Sequence, residues 1–151
     1  MKKDYLELTR LVERLHRRFL DVLRSELGRM GVKELNAVQA LLLSNIGTEQ
    51  IAIRDLVERG YYQGSNVSYN IKKLTDMGYL EQERSQHDRR SVTVRLTPKA
   101  LDVVQRVHDL EDTSAGAIEG SGLTLDDLQK AAETLRKIER TWTDYIRYGG
   151  E

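Results

Sequence analysis

Residues 84–96 read Arg-Ser-Gln-His-Asp-Arg-Arg-Ser-Val-Thr-Val-Arg-Leu, and this segment gives the clearest indication of the fold. Its second half alternates Val92, Val94 and Leu96 with polar residues, which is the two-residue period of a half-buried β-strand. Its first half is strongly charged and offers nothing apolar to bury. The stretch therefore predicts a β-hairpin whose charged tip is suited to gripping a nucleic-acid backbone.

A polar helix is predicted immediately upstream of the hairpin, over residues 65–77. Val67, Ile71 and Leu74 lie at positions i, i+4 and i+7 and define one buried face. The outer face carries hydroxyls, amides and ammonium groups, supplied by Ser65, Asn66, Ser68, Tyr69, Asn70, Lys72 and Lys73. Such groups can bond base edges and phosphates. A merely solvated helix face would more often carry Glu/Lys pairs, and this one has no acid before Asp76.

The helical pattern around these elements predicts a winged helix-turn-helix of the mainly α (α+β) class. A short helix over residues 54–59 and a glycine-containing turn precede the polar helix. A brief strand is expected at residues 51–53, and Asn36 is expected to cap an apolar helix over residues 37–45. Later helices are expected to begin at Pro98 and after Thr124, which resembles a capping box with Asp127. Between them, we expect the chain to break at Gly116, Gly120 and Gly122.

Charge is unevenly distributed although the 24 basic and 24 acidic residues cancel. Residues 1–60 carry 11 basic and 9 acidic side chains, and residues 61–99 carry 7 and 4. Residues 100–151 carry 6 and 11. The middle of the chain is therefore basic and its last third acidic, which fits a DNA-facing region attached to an acidic helical region.

Both ends of the chain carry long apolar stripes. Their members recur with spacings of three and four residues, as Tyr5, Leu8, Val12, Leu15, Phe19 and Val22, and as Leu128, Ala131, Leu135, Ile138, Trp142 and Tyr145. A compact core cannot easily cover two such helices, so we expect them to form a homodimer interface. The simpler alternative is that both helices pack within one chain. The predicted organisation is a dimerisation region at residues 1–31 and 99–151 and a DNA-binding region at residues 32–98.

Several chemistries are not supported by the composition. The chain has no cysteine, which excludes disulfides, thiol nucleophiles and cysteine-bound metal. It has no apolar run near the roughly 20 residues that span a bilayer, so a soluble, cytoplasmic protein is expected. His16, His87 and His108 show no metal-binding spacing, and neither a phosphate loop nor a catalytic triad motif is present. The sequence therefore predicts neither an enzyme nor a cofactor.

The order of elements and several local motifs resemble the MarR family of bacterial transcription regulators. Leu35-Asn36-Ala37-Val38-Gln39 is similar to the family's Leu-Thr-x-x-Gln motif, and Ser65-Asn66-Val67-Ser68 to its Ser-Thr-Val-Thr recognition-helix start. Asp88-Arg89-Arg90-Ser91 followed by Leu96-Thr97 matches the wing signature, Asp-x-Arg and then Leu-Thr. Gly60 and Tyr69 depart from the pattern, since an apolar and a basic residue are common there. The departure at Tyr69 points to an unusual base preference.

The resemblance implies a role for each wing residue. Arg90 matches the arginine that enters the minor groove, and Asp88 matches the aspartate that pairs with wing arginines and shapes the loop. Arg89 is expected to reach a phosphate or to complete the Asp88 pair, and Arg84 follows in register as a further DNA-binding residue. A narrow minor groove concentrates negative potential and attracts a guanidinium group.

The resemblance further implies a small, often aromatic or phenolic effector bound between the dimerisation helices and the winged core. By position, His16, Arg17, Phe19 and Tyr61 are the candidates for that contact. The expected function is therefore a homodimer that binds double-stranded DNA at a pseudo-palindromic operator under effector control. A winged-helix module for protein–protein contact, without DNA affinity, is the alternative. A small catalytic helical protein is the other rival, and it would need a cluster of titratable groups that the sequence does not offer.

Overall fold

The computed structural model describes residues 1–58, 64–84, 87 and 91–149, with the side chains of residues 64 and 65 outside that description. In chain order the elements are α1 (Lys2–Arg29), α2 (Ala37–Ile46), β1 (Ile51–Ala52), α3 (Ile53–Glu58), α4 (Gly64–Asp76), β2 (Leu80–Arg84), β3 (Val92–Leu96), α5 (Pro98–Gly120) and α6 (Leu125–Tyr148). The predicted mainly α class with a small antiparallel sheet is confirmed. Apart from the end of α5, element ends differ from the predicted ones by no more than one residue, which is within the ordinary uncertainty of helix termini.

The predicted hairpin forms, and β1 adds a third strand to it. The strand order is β1-β3-β2 with both pairings antiparallel, so β3 lies at the centre. Val94 pairs with Gln82 on one side and Ile51 on the other, and its side chain is fully buried. Arg95, one residue later, is exposed. This alternation confirms the period-two reading of residues 92–96.

The first compact unit, Met1–Leu110, is built around α4. Val67, Ile71 and Leu74 are buried there, as the helical spacing predicts. They belong to one cluster with apolar residues of α2, α3 and β3, namely Leu42, Leu43, Leu56 and Val94. The end of α1 and the start of α5 also enter this unit's core through Leu23, Leu27, Ala100, Val103 and Val104. α1 thus supplies part of the core of this unit as well as an exposed stripe, and α5 supplies part of the same core.

The second unit, Glu111–Glu151, contains the end of α5 and all of α6. Thr124 caps α6 as predicted: its hydroxyl accepts the Asp127 N–H at 3.1 Å, and the Asp127 carboxylate accepts the Thr124 N–H at 2.9 Å. Within this unit an apolar groove of about 460 Å³ lies between the last turns of α5 and the first turn of α6. Exposed Ile118, Leu123 and Leu128 are among the residues that line it.

The expectation that Gly116 breaks the chain is wrong. α5 continues through Gly116 and ends at Gly120, and the positive-φ residue of this turn is Gly122, at +92°. A glycine inside a helix costs about 1 kcal/mol relative to alanine, but it can adopt helical dihedrals. A helix of 23 residues with buried apolar side chains tolerates that cost.

Candidate nucleic-acid interface

The exposed face of α4 presents the predicted polar groups. Asn66, Ser68, Tyr69, Lys72 and Lys73 are exposed, while the apolar residues of the helix face the core. The first turn of α4 has no acidic residue and its last turn carries Lys73. This side of the helix can therefore donate hydrogen bonds and neutralise phosphates. Ser65 lies at the helix start, with its side chain outside the described set.

Tyr69 occupies a prominent place on this face, with 61% of its side chain exposed. The ammonium nitrogen of Lys73 lies 5.8 Å from the centre of the Tyr69 ring, one helical turn later. This distance fits a weak cation–π contact. An exposed aromatic ring beside a lysine adds a stacking and van der Waals surface to an otherwise hydrogen-bonding face.

Asn70 differs from the other candidates on α4 because its side chain is only partly exposed. Its oxygen Oδ1 accepts a hydrogen bond from Nε2 of Gln39 on α2, at 3.3 Å. Gln39 itself is buried, with 6% of its surface exposed. Sequence reasoning placed Asn70 with the exposed residues and used Gln39 only as a motif match. The signal that was available is a glutamine among the apolar residues of α2 that precede Ser44 and Asn45.

The stem of the hairpin is described, and most of its tip is not. Arg84 is exposed at the end of β2, where it pairs with Val92. Arg95 forms an ion pair within the sheet. Its guanidinium donates to Glu81 on the neighbouring strand, with Nε 2.7 Å from the carboxylate oxygen. The predicted wing residues Asp88, Arg89 and Arg90 lie outside the described residues.

A polar cluster of Glu34, Tyr79 and Lys99 joins the helix-turn-helix to α5. The Tyr79 hydroxyl donates to the Glu34 carboxylate at 2.5 Å, and the Lys99 ammonium lies 3.1 Å from the same carboxylate. Lys99 also donates to the carbonyl of Met77 at 2.9 Å and lies 4.4 Å from the centre of the Tyr79 ring. The cluster fixes the turn between α4 and β2 against the start of α5. Sequence reasoning did not find it.

The pKa values of two side chains in this cluster differ from their ordinary values. Burial and the bond to Glu34 raise the pKa of Tyr79 to about 12. The hydrogen bonds from Tyr79 and Lys99 lower the pKa of Glu34 below its ordinary value. The cluster therefore holds a neutral phenol and an ionised carboxylate over the physiological range.

Three of the four candidate effector residues lie on α1. His16 and Arg17 are exposed, Phe19 is 39% exposed, and Tyr61 falls outside the described residues. One groove is lined by residues 46–55 and another by residues 115–128, and neither lining includes His16, Arg17 or Phe19. Within the described ranges, three or more histidine or acidic side chains do not come together in a metal-binding arrangement. No helix in the same ranges is long and apolar enough to cross a membrane.

Comparison with known proteins identifies the class of this interface. Residues 35–100 match the model of a winged helix DNA-binding domain family. The exopolysaccharide II synthesis transcriptional activator ExpG of Rhizobium meliloti is 35% identical over 145 residues, which are 96% of this chain and 75% of the relative. A match of this identity and coverage shows common family membership.

Solved structures share the fold. A mutant of MarR from Escherichia coli in complex with operator DNA has a TM-score of 0.70 and 19% identity, and the match covers 89% of this chain and 95% of that one. BpsR of Bordetella bronchiseptica, whose DNA binding is regulated by 6-hydroxynicotinic acid, has a TM-score of 0.68 and 21% identity, covering 88% and 98%. The chain belongs to the MarR family of winged helix DNA-binding transcription regulators, which are not enzymes.

Proposed function

We propose that this regulator acts as a homodimer on a pseudo-palindromic operator, with α4 in the major groove and the hairpin tip in the flanking minor groove. The observation that carries the proposal is the exposed polar face of α4, which has no acidic residue before Asp76, beside the antiparallel hairpin. A helix of this kind places its outer side chains at base edges, and its lysines at phosphates. Two copies would engage half-sites about one helical turn apart.

Exposed apolar side chains on α1 and α6 support dimerisation. On α1, Leu15 is 65% exposed and Val22 is 45% exposed. α6 has no buried residue in the single chain, and Leu135, Trp142 and Tyr145 are each at least 41% exposed. Apolar stripes of this length on two helices are typical of surfaces that a second chain covers.

Within the hairpin tip, we assign Arg90 to the minor groove, Asp88 to holding its guanidinium, and Arg89 to a phosphate. Arg84, at the end of β2, is assigned to a phosphate as well. A small aromatic or phenolic effector would act by favouring a dimer in which the two α4 helices do not match the half-site spacing. Its effect is limited by its difference in affinity for the two states. The regulation of BpsR by 6-hydroxynicotinic acid, a small aromatic molecule, supports this mode of control. Because the protein acts on chromosomal DNA, we expect it in the cytoplasm.

The test begins with selection of genomic fragments by the purified protein, which yields the operator and the spacing of its half-sites. Arg90→Ala should then weaken operator binding by about tenfold or more and reduce the salt dependence of binding. Arg95→Ala is the matched control, because it removes an arginine of the same hairpin that is bound to Glu81. Equal operator affinity of the Arg90→Ala variant and the parent would refute the wing assignment. A dimer with no salt-dependent DNA affinity would instead be a protein–protein module.

A further inference from the structure

Gln39 lies at the point where the first turn of α2 meets the middle of α4. The side-chain oxygen Oε1 of Gln39 accepts the backbone N–H of Asn36 at 3.1 Å, and the Asn36 side chain in turn accepts the Gln39 N–H at 2.8 Å. This is the reciprocal capping box of α2. Gln39 is therefore held at both its backbone and its side chain.

The capping box determines the orientation of two side-chain amides, those of Gln39 and Asn70. A backbone N–H can only donate, so the Gln39 atom that bonds it must be the oxygen. The other end of the Gln39 amide is then its nitrogen, Nε2, which can only donate. Its partner on α4, 3.3 Å away, must therefore be the oxygen of Asn70. The orientation of the Asn70 amide follows from a backbone group on another helix.

Asn70 lies at the edge of the DNA-facing surface of α4. It is one helical turn after Asn66 and one turn before Lys73, and both of these side chains are exposed. Because the oxygen of its amide points to Gln39, the nitrogen of the amide points away from α2. The end of the amide that does not bond Gln39 is therefore a hydrogen-bond donor, carried by a side chain that is partly exposed at the edge of this surface.

We propose that Gln39 is a positioning residue for operator recognition, which makes Asn70 a donor and sets its base preference. A donor in the major groove finds acceptors on guanine N7 and O6, on adenine N7 and on thymine O4. The two-bond pairing of asparagine with adenine needs the amide oxygen as well as the nitrogen, and here that oxygen bonds Gln39. Guanine presents two neighbouring acceptors, whereas the N7 of adenine lies beside the N6 amino group, which is itself a donor, so Asn70 is biased toward guanine or thymine. The inference rests on the proposed placement of α4 in the major groove.

The substitution Gln39→Glu inverts this arrangement with almost no change of shape. One carboxylate oxygen still accepts the Asn36 N–H, and glutamate is a usual partner in a capping box. The other carboxylate oxygen cannot donate to Asn70, so the Asn70 amide must rotate by about half a turn and donate from its nitrogen. Its oxygen then faces DNA and accepts from an exocyclic amino group of adenine or cytosine.

The experiment is selection from a pool of random-sequence double-stranded oligonucleotides, with base preferences compared within each protein. Comparing preferences, rather than affinities, removes any uniform loss caused by the added negative charge. At one position of each half-site, Gln39→Glu should shift the preference from guanine or thymine toward adenine or cytosine by about three- to tenfold, the range of a single hydrogen bond. Gln39→Met keeps the charge and removes the bond, so it should flatten the preference at that position.

Asn70→Ala provides the second control, because the effect must pass through this side chain. It should flatten the same position, and Gln39→Glu should change nothing further when added to it. Identical preferences at every position for the parent and Gln39→Glu would overturn the inference, as would a Gln39→Glu shift that persists without Asn70. If the parent enriches a motif that Asn70→Ala leaves unchanged, the inference is wrong and the proposed function stands. If the folded parent enriches no motif, the proposed function itself is wrong.

Discussion

At the scale of single residues, the Glu34–Tyr79–Lys99 cluster shows how a few polar contacts hold the turn after α4 against the start of α5. Tyr79→Phe removes the hydroxyl that donates to Glu34, while the ring keeps its buried position. We expect the free energy of unfolding at neutral pH to fall by about 1 kcal/mol, the ordinary net value of one hydrogen bond. Urea denaturation measures this loss. Tyr148→Phe, at a tyrosine that is 70% exposed, is the control and should leave stability within error.

The same cluster predicts that the free energy of unfolding decreases at alkaline pH. The pKa of Tyr79 is raised from 10.0 to about 12 in the folded chain, so between these values the folded state holds a proton that the unfolded state has lost. The free energy of unfolding must therefore fall as pH rises through this window. The Glu34 carboxyl acts oppositely: its pKa is lowered, so its contribution is lost as pH falls below 4.5. In Tyr79→Phe the alkaline decline should be shallower than in the parent, and parallel curves from pH 10 to 12 would contradict the assignment.

Sequence patterns predicted the buried residues of α4 but not these polar contacts. The period of 3.6 residues states which side of a helix is apolar, and Val67, Ile71 and Leu74 followed from it. Glu34 and Tyr79 are separated by 45 positions, and neither belongs to a periodic pattern. The Gln39–Asn70 bond likewise joins two helices that are distant in sequence. Such contacts depend on tertiary packing, and local sequence patterns do not predict which distant residues it brings together.

At the scale of elements, glycine has different roles that its sequence context alone did not separate. Gly78 ends α4 with a φ of +83°, and its carbonyl accepts the Thr97 hydroxyl at 2.6 Å. Gly28 lies inside the last turns of α1, in an exposed helical position with no atom near an added Cβ. Gly116 is also helical, and the prediction that it breaks α5 failed for that reason. Only a dihedral angle, which the sequence does not contain, distinguishes these positions.

Gly78→Ala is therefore expected to lower the stability of the folded chain, and Gly28→Ala is expected to raise it. The alanine at position 78 must adopt a left-handed conformation, which costs about 1–2 kcal/mol for a residue with a Cβ. The alanine at position 28 gains about 0.5–1 kcal/mol by reducing the freedom of the unfolded chain and favouring the helix. Thermal denaturation of both variants against the parent measures the difference. If the two melting temperatures shift in the same direction, the assigned backbone conformations are wrong.

At the scale of the whole molecule, the polar face of α4 and the exposed apolar stripe of α6 belong to different compact units. The first unit holds the polar face of α4, while the second holds α6, a helix of 24 residues with no buried side chain. An isolated chain has no reason to keep Leu135, Trp142 and Tyr145 in one exposed stripe. A second copy that covers this stripe would bring two α4 helices to one DNA duplex. In that arrangement, operator recognition depends on dimerisation.

This coupling predicts that a substitution far from DNA abolishes operator binding. Leu135→Glu places a charge in the stripe of α6, where the single chain leaves the side chain 41% exposed, so the fold of one protomer should survive. The dimer should dissociate, because an unpaired carboxylate would otherwise be buried between the two copies. Operator affinity should fall by at least about a hundredfold, since a monomer loses the gain of binding two linked half-sites. Sedimentation equilibrium and DNA titration of the same preparation test both effects.

The matched control is Gln129→Glu, which adds the same charge to the same helix on the side opposite the stripe. Positions 129 and 135 are six positions apart, which at about 100° per residue places them on different faces. Gln129→Glu should remain a dimer and bind the operator as the parent does. A Leu135→Glu protein that stays dimeric would show that α6 is not in the interface. A Leu135→Glu monomer with parental affinity would show that one winged helix recognises the operator alone, and it would remove the physical reason for expecting a pseudo-palindrome.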